Sequence, residues 1–424
     1  MEEEASVPKL RFHDFAEGCE TYKMLDLYSF KVTNSLSRDN LTYASGKVKN
    51  IHYGDIHVRF HTLFDITKEH VPYIKSEVSI GRISADNYCR EGDMIFADAS
   101  EDLNDVGKAI EILNLDNQQL LSGLHTILAR PVMNKLAKGF GGYLFRSNNV
   151  RTQIRRESQG TKVLSISMSR LRNILLTIPE IAEQQKIAAF LTAVDDKMQQ
   201  LSKKKSLLEQ YKKGVMQQIF NQEIRFKDEN GEDYPGWEVK MLGDVVTRVS
   251  TKNNDVSSNV LTISAQEGLI SQLKYFNNSV SSKNLSGYTL IMRDDFAYNK
   301  SYSKGYPMGA IKRLTRYEKG IVSTLYICFR TNKDMTPQFA EHYFESGRQN
   351  QEIEKVAQEG ARNHGLLNIG VVDFFSILVD LPSVPEQTKI ANFLSALDDK
   401  IKHVDQQIEL TKQYKKGLLQ QMFV

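Results

Sequence analysis

Residues 381–423 read LPSVPEQTKIANFLSALDDKIKHVDQQIELTKQYKKGLLQQMF, and residues 178–220 read IPEIAEQQKIAAFLTAVDDKMQQLSKKKSLLEQYKKGVMQQIF. The two stretches align without a gap at an offset of 203, and 21 of their 43 positions are identical. Shared positions include Glu183/Glu386, Gln184/Gln387, Ile187/Ile390, Phe190/Phe393, Asp-Asp-Lys at 195–197 and 398–400, and Tyr-Lys-Lys-Gly at 211–214 and 414–417. Two copies this far apart are no solenoid; they mark a duplicated half-molecule.

Each copy reads as one long helix. Ile390, Leu394, Leu397, Ile401, Val404, Ile408, Leu418 and Met422 follow the 4–3 spacing of a heptad seam. Ile187, Leu191, Val194, Met198, Leu201, Leu208, Val215 and Ile219 hold the matching positions in the first copy. Pro179, Pro382 and Pro385 stand just ahead of the helices, where a missing N–H is harmless. Glu183 and Glu386 fall in the first turns, where the helix dipole favours a negative charge. From Glu386 to Met422 the helix would run roughly 55 Å. Such a stripe needs a cover, and the other copy is the natural one, giving two long antiparallel helices in a coiled coil. Packing of each helix on its own globular neighbour is the competing reading.

The 424 residues, 41% hydrophobic and 25% charged, suit a soluble protein of two to four domains. No apolar run approaches the ~20 residues that span a bilayer. The opening MEEEASVPK is too acidic for a signal peptide, which points to a cytoplasmic chain. Cys19, Cys89 and Cys328 lie far apart with no CxxC, as free structural thiols in a reducing compartment do.

A net charge of +3 hides local runs. Between Arg130 and Arg172 stand ten basic residues and one acid, Glu157; residues 296–330 carry seven basic residues and one acid, Glu318. Tyr298, Tyr302, Tyr306 and Tyr317 interleave the second run. One basic run in each half suits phosphate contact better than a merely solvated face.

The repeat unit is a globular segment followed by a helix. Leu10-Arg11-Phe12-His13-Asp14 returns as Ile224-Arg225-Phe226-Lys227-Asp228, and Lys23-Met24-Leu25-Asp26 resembles Lys240-Met241-Leu242-Gly243-Asp244. If the C-terminal helix docks near the N-terminus, the chain closes with pseudo-twofold symmetry. Residues 228–236 are polar and turn-rich, a linker. Within the globular segments, strand-like runs 94–97 and 124–130 parallel 296–298 and 324–330, and a helix and a Gly-bearing loop follow each pair. Apolar strands at 174–178 and 375–379 feed the long helices. The pattern is α+β: two mixed α/β domains separated by the helices. Its boundaries are 1–177, 178–236 (helix and linker), 237–377 and 378–424. A common frame with divergent interiors suits two different recognition surfaces.

Catalytic signatures do not occur. The sequence has no GxxxxGK[ST], no GxGxxG after a strand, no HExxH and no Cys/His cluster at metal spacing, so no catalytic residue and no metal site is assigned. The Asp-Asp-Lys triplets sit mid-helix and read as an ion-pairing face. His57 and His61 in HVRFH read as strand.

The doubled pattern P-x-x-x-E-Q-x-K-I-A-x-F-L-x-x-x-D-D-K, closing on Q-Y-K-K-G-x-x-Q-Q-x-F, resembles the specificity (S) subunits of type I restriction–modification systems. So does Trp237-Glu238-Val239-Lys240-Met241-Leu242-Gly243-Asp244; the first half departs there, with Gly18-Cys19-Glu20-Thr21-Tyr22. The resemblance spans recognition domain, central conserved region, second recognition domain and distal conserved region. It implies a non-catalytic subunit that binds double-stranded DNA, each recognition domain reading one half of a bipartite asymmetric site. The paired helices would fix the spacer and dock two methyltransferase (M) subunits, which bring S-adenosylmethionine. Restriction/translocase (R) subunits would add ATP- and Mg-dependent translocation and cleavage. A self-sufficient modifying enzyme and a protein-binding adaptor with a coiled-coil strut are the competing classes.

Candidate DNA-binding residues follow from the basic runs. In the first segment they are Arg146, Arg151, Arg155, Arg156 and Lys162. In the second they are Lys300, Tyr302, Lys304, Lys312, Arg313 and Arg316, with Arg362, Asn363 and His364 in a loop between two glycines. The long side chains should touch phosphates, so that Arg313→Ala would weaken binding to every sequence. Arg362, Asn363 and His364 are shaped for base edges. The helix-pairing set is Ile187, Leu191, Val194, Met198 and Leu201 against Ile390, Leu394, Leu397, Ile401 and Val404.

Overall fold

The structure is a computed structural model that describes residues 7–132, 134–264, 267–276, 285–357 and 367–424. Two compact units share the chain. The first comprises Met1–Ser202 with Gln406–Val424, the second Lys203–Asp405. The boundaries fall inside the long helices, Ile181–Phe220 and Val384–Gln421, so each unit takes part of both. This division differs from the sequence boundaries at 177 and 377 because each globular segment buries its apolar face on both helices.

In the first unit a five-stranded sheet runs Tyr28–Lys31, Thr126–Pro131, Met94–Ala97, Ala109–Asn114, Leu63–Asp65. Only its last pair is parallel. The main core joins Met24, Phe96, Phe140, Tyr143 and Ile154 to Ile187, Leu191 and Val194 of the first long helix and to Leu418 and Met422 of the second. A separate four-stranded sheet carries Gln119–Ser122 and Val48–Ile51 at its parallel pair.

The second unit is built on a four-stranded sheet, Val246–Val249, Ile327–Thr331, Phe296–Asn299, Ala310–Arg313. Its core is aromatic: Phe296, Phe329, Phe339 and Tyr343 meet Met216, Ile219 and Phe220 of the first long helix and Ile390, Leu394 and Leu397 of the second. Inside each unit the helical segments run antiparallel. In the second, Lys205 pairs with Asp405 and Lys212 with Asp398, so numbers rise along one helix as they fall along the other.

Both units open and close on the same two-stranded ribbon. Glu20–Lys23 pairs antiparallel with Leu175–Ile178, and Glu238–Met241 with Leu378–Leu381. The departure at 18–22 therefore leaves the strand in place. Strand position also corrects the alignment by one residue. Met24, fully buried, donates its amide to Ile174 O (2.8 Å), as Leu242 does to Ile377 O (2.8 Å). Met24 is thus the counterpart of Leu242, not of Met241.

Three local expectations change. His57 lies in the helix Tyr53–Val58, which His52 caps by accepting from Gly54 N–H. Residues Val371–Phe375 form a short helix, and the strand begins only at Leu378. Pro385 sits within the first turn of Val384–Gln421, where its missing N–H is still harmless. Along the seam, Ile187, Leu191, Val194, Leu201, Ile390, Leu394, Leu397 and Val404 are buried, while Met198, Ile401, Leu208 and Val215 are half-buried. Met216 is buried beside Val215, because that end of the helix faces an aromatic cluster as well as the other helix.

Candidate nucleic-acid interface

The repeated motifs of the helices bind one another and the globular segments. Glu183 is buried and takes both arms of Arg11, at 2.8 and 2.6 Å; Glu386, equally buried, takes Arg225 at 3.2 and 2.7 Å. Two forked, charge-assisted bonds outweigh the helix dipole that the sequence suggested for these glutamates. One residue on, Gln184 accepts from Ala137 N–H and donates to the carbonyls of Lys135 and Pro179. Gln387 repeats this with Thr336, Asp334 and Pro382.

The Asp-Asp-Lys and Tyr-Lys-Lys-Gly motifs are partners. Lys415 pairs with Asp195 in the first unit, and Lys212 with Asp398 (2.5 Å) in the second. Each helix supplies the acid of one pair and the base of the other. Beside the first pair, the Tyr143 hydroxyl meets Thr192 Oγ (3.2 Å) and donates to Asp195 (3.0 Å). His342 takes that place in the second unit, its Nε2 3.0 Å from Ser395 Oγ and its Nδ1 4.0 Å from Asp398. Burial, with Lys212 and Arg313 nearby, pushes the His342 pKa down to about 4. Tyr143 and His342 escape sequence reading, because different residue types do one job. Arg11 and Arg225 could have been found, since they hold matched positions ahead of matched glutamates.

Of the basic candidates, several are engaged inside the fold. Arg151 donates to the carbonyls of Asn104 (2.8 Å) and Val106 (2.7 Å), and Arg155 reaches Asn104 Oδ1 (3.3 Å). Arg146 is half-buried at the turn before the helix Asn148–Glu157. Lys312 pairs with Glu345 (2.5 Å), and Arg313 with Glu341 (2.8 Å) and Asp294 (3.5 Å). Both lie on the strand Ala310–Arg313, with side chains only 13% exposed. Arg313 opposes Phe296 in the sheet as Glu111 opposes Met94, so a buried charge at this register is common to both units. Arg313 is ion-paired within the unit, so a phosphate would compete with Glu341 and Asp294 for it. Arg156, Lys162, Tyr302, Lys304 and Arg316 are exposed, Arg316 near Glu267 at 3.4 Å. Lys300 is half-buried, its Nζ 3.4 Å from Ile369 O. Arg362, Asn363 and His364 lie outside the described residues. Arg130 is bound bidentately by Asp93 (2.9 and 2.8 Å), as Arg330 is by Asp295 (2.6 and 3.0 Å).

Each helix also carries an apolar pair facing away from these cores. Leu207 and Tyr211 are 55% and 53% exposed, and their repeats Leu410 and Tyr414 are 64% and 54% exposed. In the second unit, Tyr211 borders a groove that Gly214, Gln218, Arg348 and Gln351 also line. Among the described residues, no helix is long and apolar enough to cross a membrane.

Each compact unit thus combines a globular segment with parts of both long helices. Residues 68–210 match the type I restriction modification DNA specificity domain. The chain is similar to a putative type I restriction enzyme specificity subunit, MjaX, of Methanocaldococcus jannaschii, 29% identical over 160 residues, 36% of this chain and 37% of that one. It is also 30% identical over 119 residues, 26% and 28% of the two chains, to the MjaIX specificity subunit of the same organism. These matches thus span well under half the length of the curated relatives. The fold matches the crystal structure of a type I restriction–modification S subunit from M. genitalium over 99% of both chains, with a TM-score of 0.56 at 13% identity. A chain solved in work on complex assembly and conformational transition of the type I system matches over 95% and 97%, with a TM-score of 0.54 at 14% identity.

Proposed function

We propose that this chain is the DNA-reading, non-catalytic subunit of a type I restriction–modification complex. Each unit reads one half of a bipartite, asymmetric site, and the continuous helices set the unspecified spacer between halves. One observation carries the reading: the same helical frame, with its Arg–Glu, Gln and Asp–Lys contacts, holds two differently built globular interiors. That is the economy of one scaffold with two specificities.

Arg156, Lys162, Tyr302, Lys304 and Arg316 are exposed and are proposed to meet DNA at its surface. Arg362, Asn363 and His364 remain the proposed base readers, where Arg suits guanine and Asn suits adenine. Asn363→Ala should weaken the specific site by roughly 1–3 kcal/mol and leave random duplex untouched. The exposed pairs Leu207/Tyr211 and Leu410/Tyr414, one per unit, are proposed to dock two methyltransferase subunits. S-adenosylmethionine, ATP and magnesium would come with the partners, and assembly would occur in the cytoplasm. Tyr211→Glu with Tyr414→Glu should abolish co-purification while folding is retained; unchanged co-purification would remove this surface.

Methylome sequencing of a host carrying the chain with its partners tests the whole reading. A single bipartite motif with an unspecified spacer is expected. No new methylated motif, together with no salt-dependent DNA binding by the purified chain, would favour the protein-binding adaptor.

A further inference from the structure

Arg146, in the first unit, has Asp195 and Asp105 near enough to favour its charge but bonds neither. Among the described residues its guanidinium has no hydrogen-bond or ion-pair partner, and its Nε is sealed from solvent. Arg151 gives one Nη to the carbonyls of Asn104 and Val106, but its other Nη is buried and unpaired. Arg155 lies over the same loop, on Asn104 Oδ1. The nearby acids are committed. Asp195 holds Tyr143 and Lys415, and Asp105 holds Lys108 at 3.4 Å. Burial pulls the Arg146 pKa down, and burial with the neighbouring arginines pulls Arg151 to about 10. Guanidinium keeps its proton at neutral pH, so the cluster carries desolvated positive charge that an anion would relieve.

In the second unit the inward cations Lys312 and Arg313 do have ion-pair partners, Glu345 and Glu341, although Arg313 Nε and Nη1 are buried without a hydrogen bond. The first unit also crowds its arginines by design. Gly107 has a φ of +65°, and a Cβ there would lie 2.7 Å from Ile154 Cγ2, so its absence lets the arginine-bearing helix press onto the loop.

We propose that Arg146, with Arg151 and Arg155, seats a phosphate-class oxyanion, and that its natural occupant is one backbone phosphate of the bound DNA. The proposal rests on the DNA reading above and adds a fixed anchor to it. A tetrahedral oxyanion presents oxygens in several directions, which suits donors from three guanidinium groups better than a planar carboxylate does. The seat belongs to the frame, not to the reading loops. Arg146 lies two residues beyond the helix Phe140–Leu144, whose Tyr143 is bonded to Asp195 of the long helix. A contact so placed fixes position and reads no base.

The test uses the full-length chain as wild type, Arg146→Gln and Arg146→Lys. Binding to specific and random duplexes is titrated against salt, and melting is followed with and without inorganic phosphate. For Arg146→Gln the salt slope should fall by about one unit, with equal losses on both duplexes. Arg146→Lys should keep most of the slope. The free Gln variant should melt no lower than wild type, and phosphate should raise the melting temperature of wild type alone. An unchanged slope overturns the proposal, even if phosphate still stabilises wild type, since the seat then takes a free anion only. A free Gln variant that melts several degrees lower overturns it as well, making Arg146 a packing residue. If wild type itself ignores DNA, the functional reading fails, and the phosphate-dependent melting still decides whether the seat exists.

Discussion

Arg313 and His342 show how burial redirects side chains that composition alone would place at the surface. Arg313 stands in a basic run, yet Glu341 and Asp294 flank it. Arg313→Ala would remove the cation that faces the part-exposed Glu341 and Asp294, so we expect a loss of roughly 1 kcal/mol of stability, read from the denaturant midpoint. A normal midpoint with a lowered DNA salt slope would instead support the phosphate contact. His342, neutral and buried beside Lys212 and Arg313, titrates at about 4 instead of near 6.5. Between those values the folded protein binds fewer protons than the unfolded chain. The stabilising contribution is therefore complete above pH 6.5 and is lost as pH falls toward 4. Melting followed from pH 7.5 to 5 should show an acid limb that His342→Gln weakens. If the limb is unaltered, other groups set the acid stability. The run of basic letters at 300–330 was legible; the acids that quench it were not, because Glu341 and Glu345 come from the helix Pro337–Ser346, folded back from later in the chain.

The long helices were the most legible elements, because a heptad stripe repeated at an offset of 203 residues can hardly arise except from a duplicated helix. Their pairing chemistry was half legible. Asp195 and Lys415 sit in motifs visible in the sequence, but that one motif binds the other follows only from antiparallel packing. Residue identity and structural position part at one point. Lys-Met occurs at 23–24 and at 240–241, yet burial and hydrogen bonding set Met24 against Leu242, since a strand admits no one-residue slip without turning every side chain to the other face. HVRFH alternates like a strand but opens in a helix, because His52 offers a cap to Gly54 N–H. The Asp195–Lys415 pair has a direct test, since Lys415 is buried enough that its ammonium pKa is pulled down. Lys415→Met should destabilise the chain by roughly 3 kcal/mol by stranding Asp195, and adding Asp195→Leu should recover part of it. Strictly additive losses in the double variant would mean that the two side chains do not act as a pair.

Because each unit closes its own core around parts of both helices, the recognition halves should be exchangeable, and the structure says where to cut. A graft of residues 237–377 follows the sequence boundary, but it replaces Glu238–Met241 while leaving its ribbon partner Leu378–Leu381 behind. Foreign residues would then meet Val379 and Leu381, both buried. Cutting at 242–377 keeps both strands, and it severs the chain where Leu242 N–H meets Ile377 O, a bond any residue but proline can remake. The Arg225–Glu386 clamp and the Lys212–Asp398 pair lie outside both cuts, so the frame survives either graft. We therefore expect the 242–377 graft to be recovered folded in higher yield and to melt higher than the 237–377 graft. Methylome sequencing of the 242–377 graft with its partners should show new bases in one half of the motif, with the other half and the spacer unchanged. New bases in both halves would mean that the units do not read independently, and a changed spacer would mean that the helices alone do not set it.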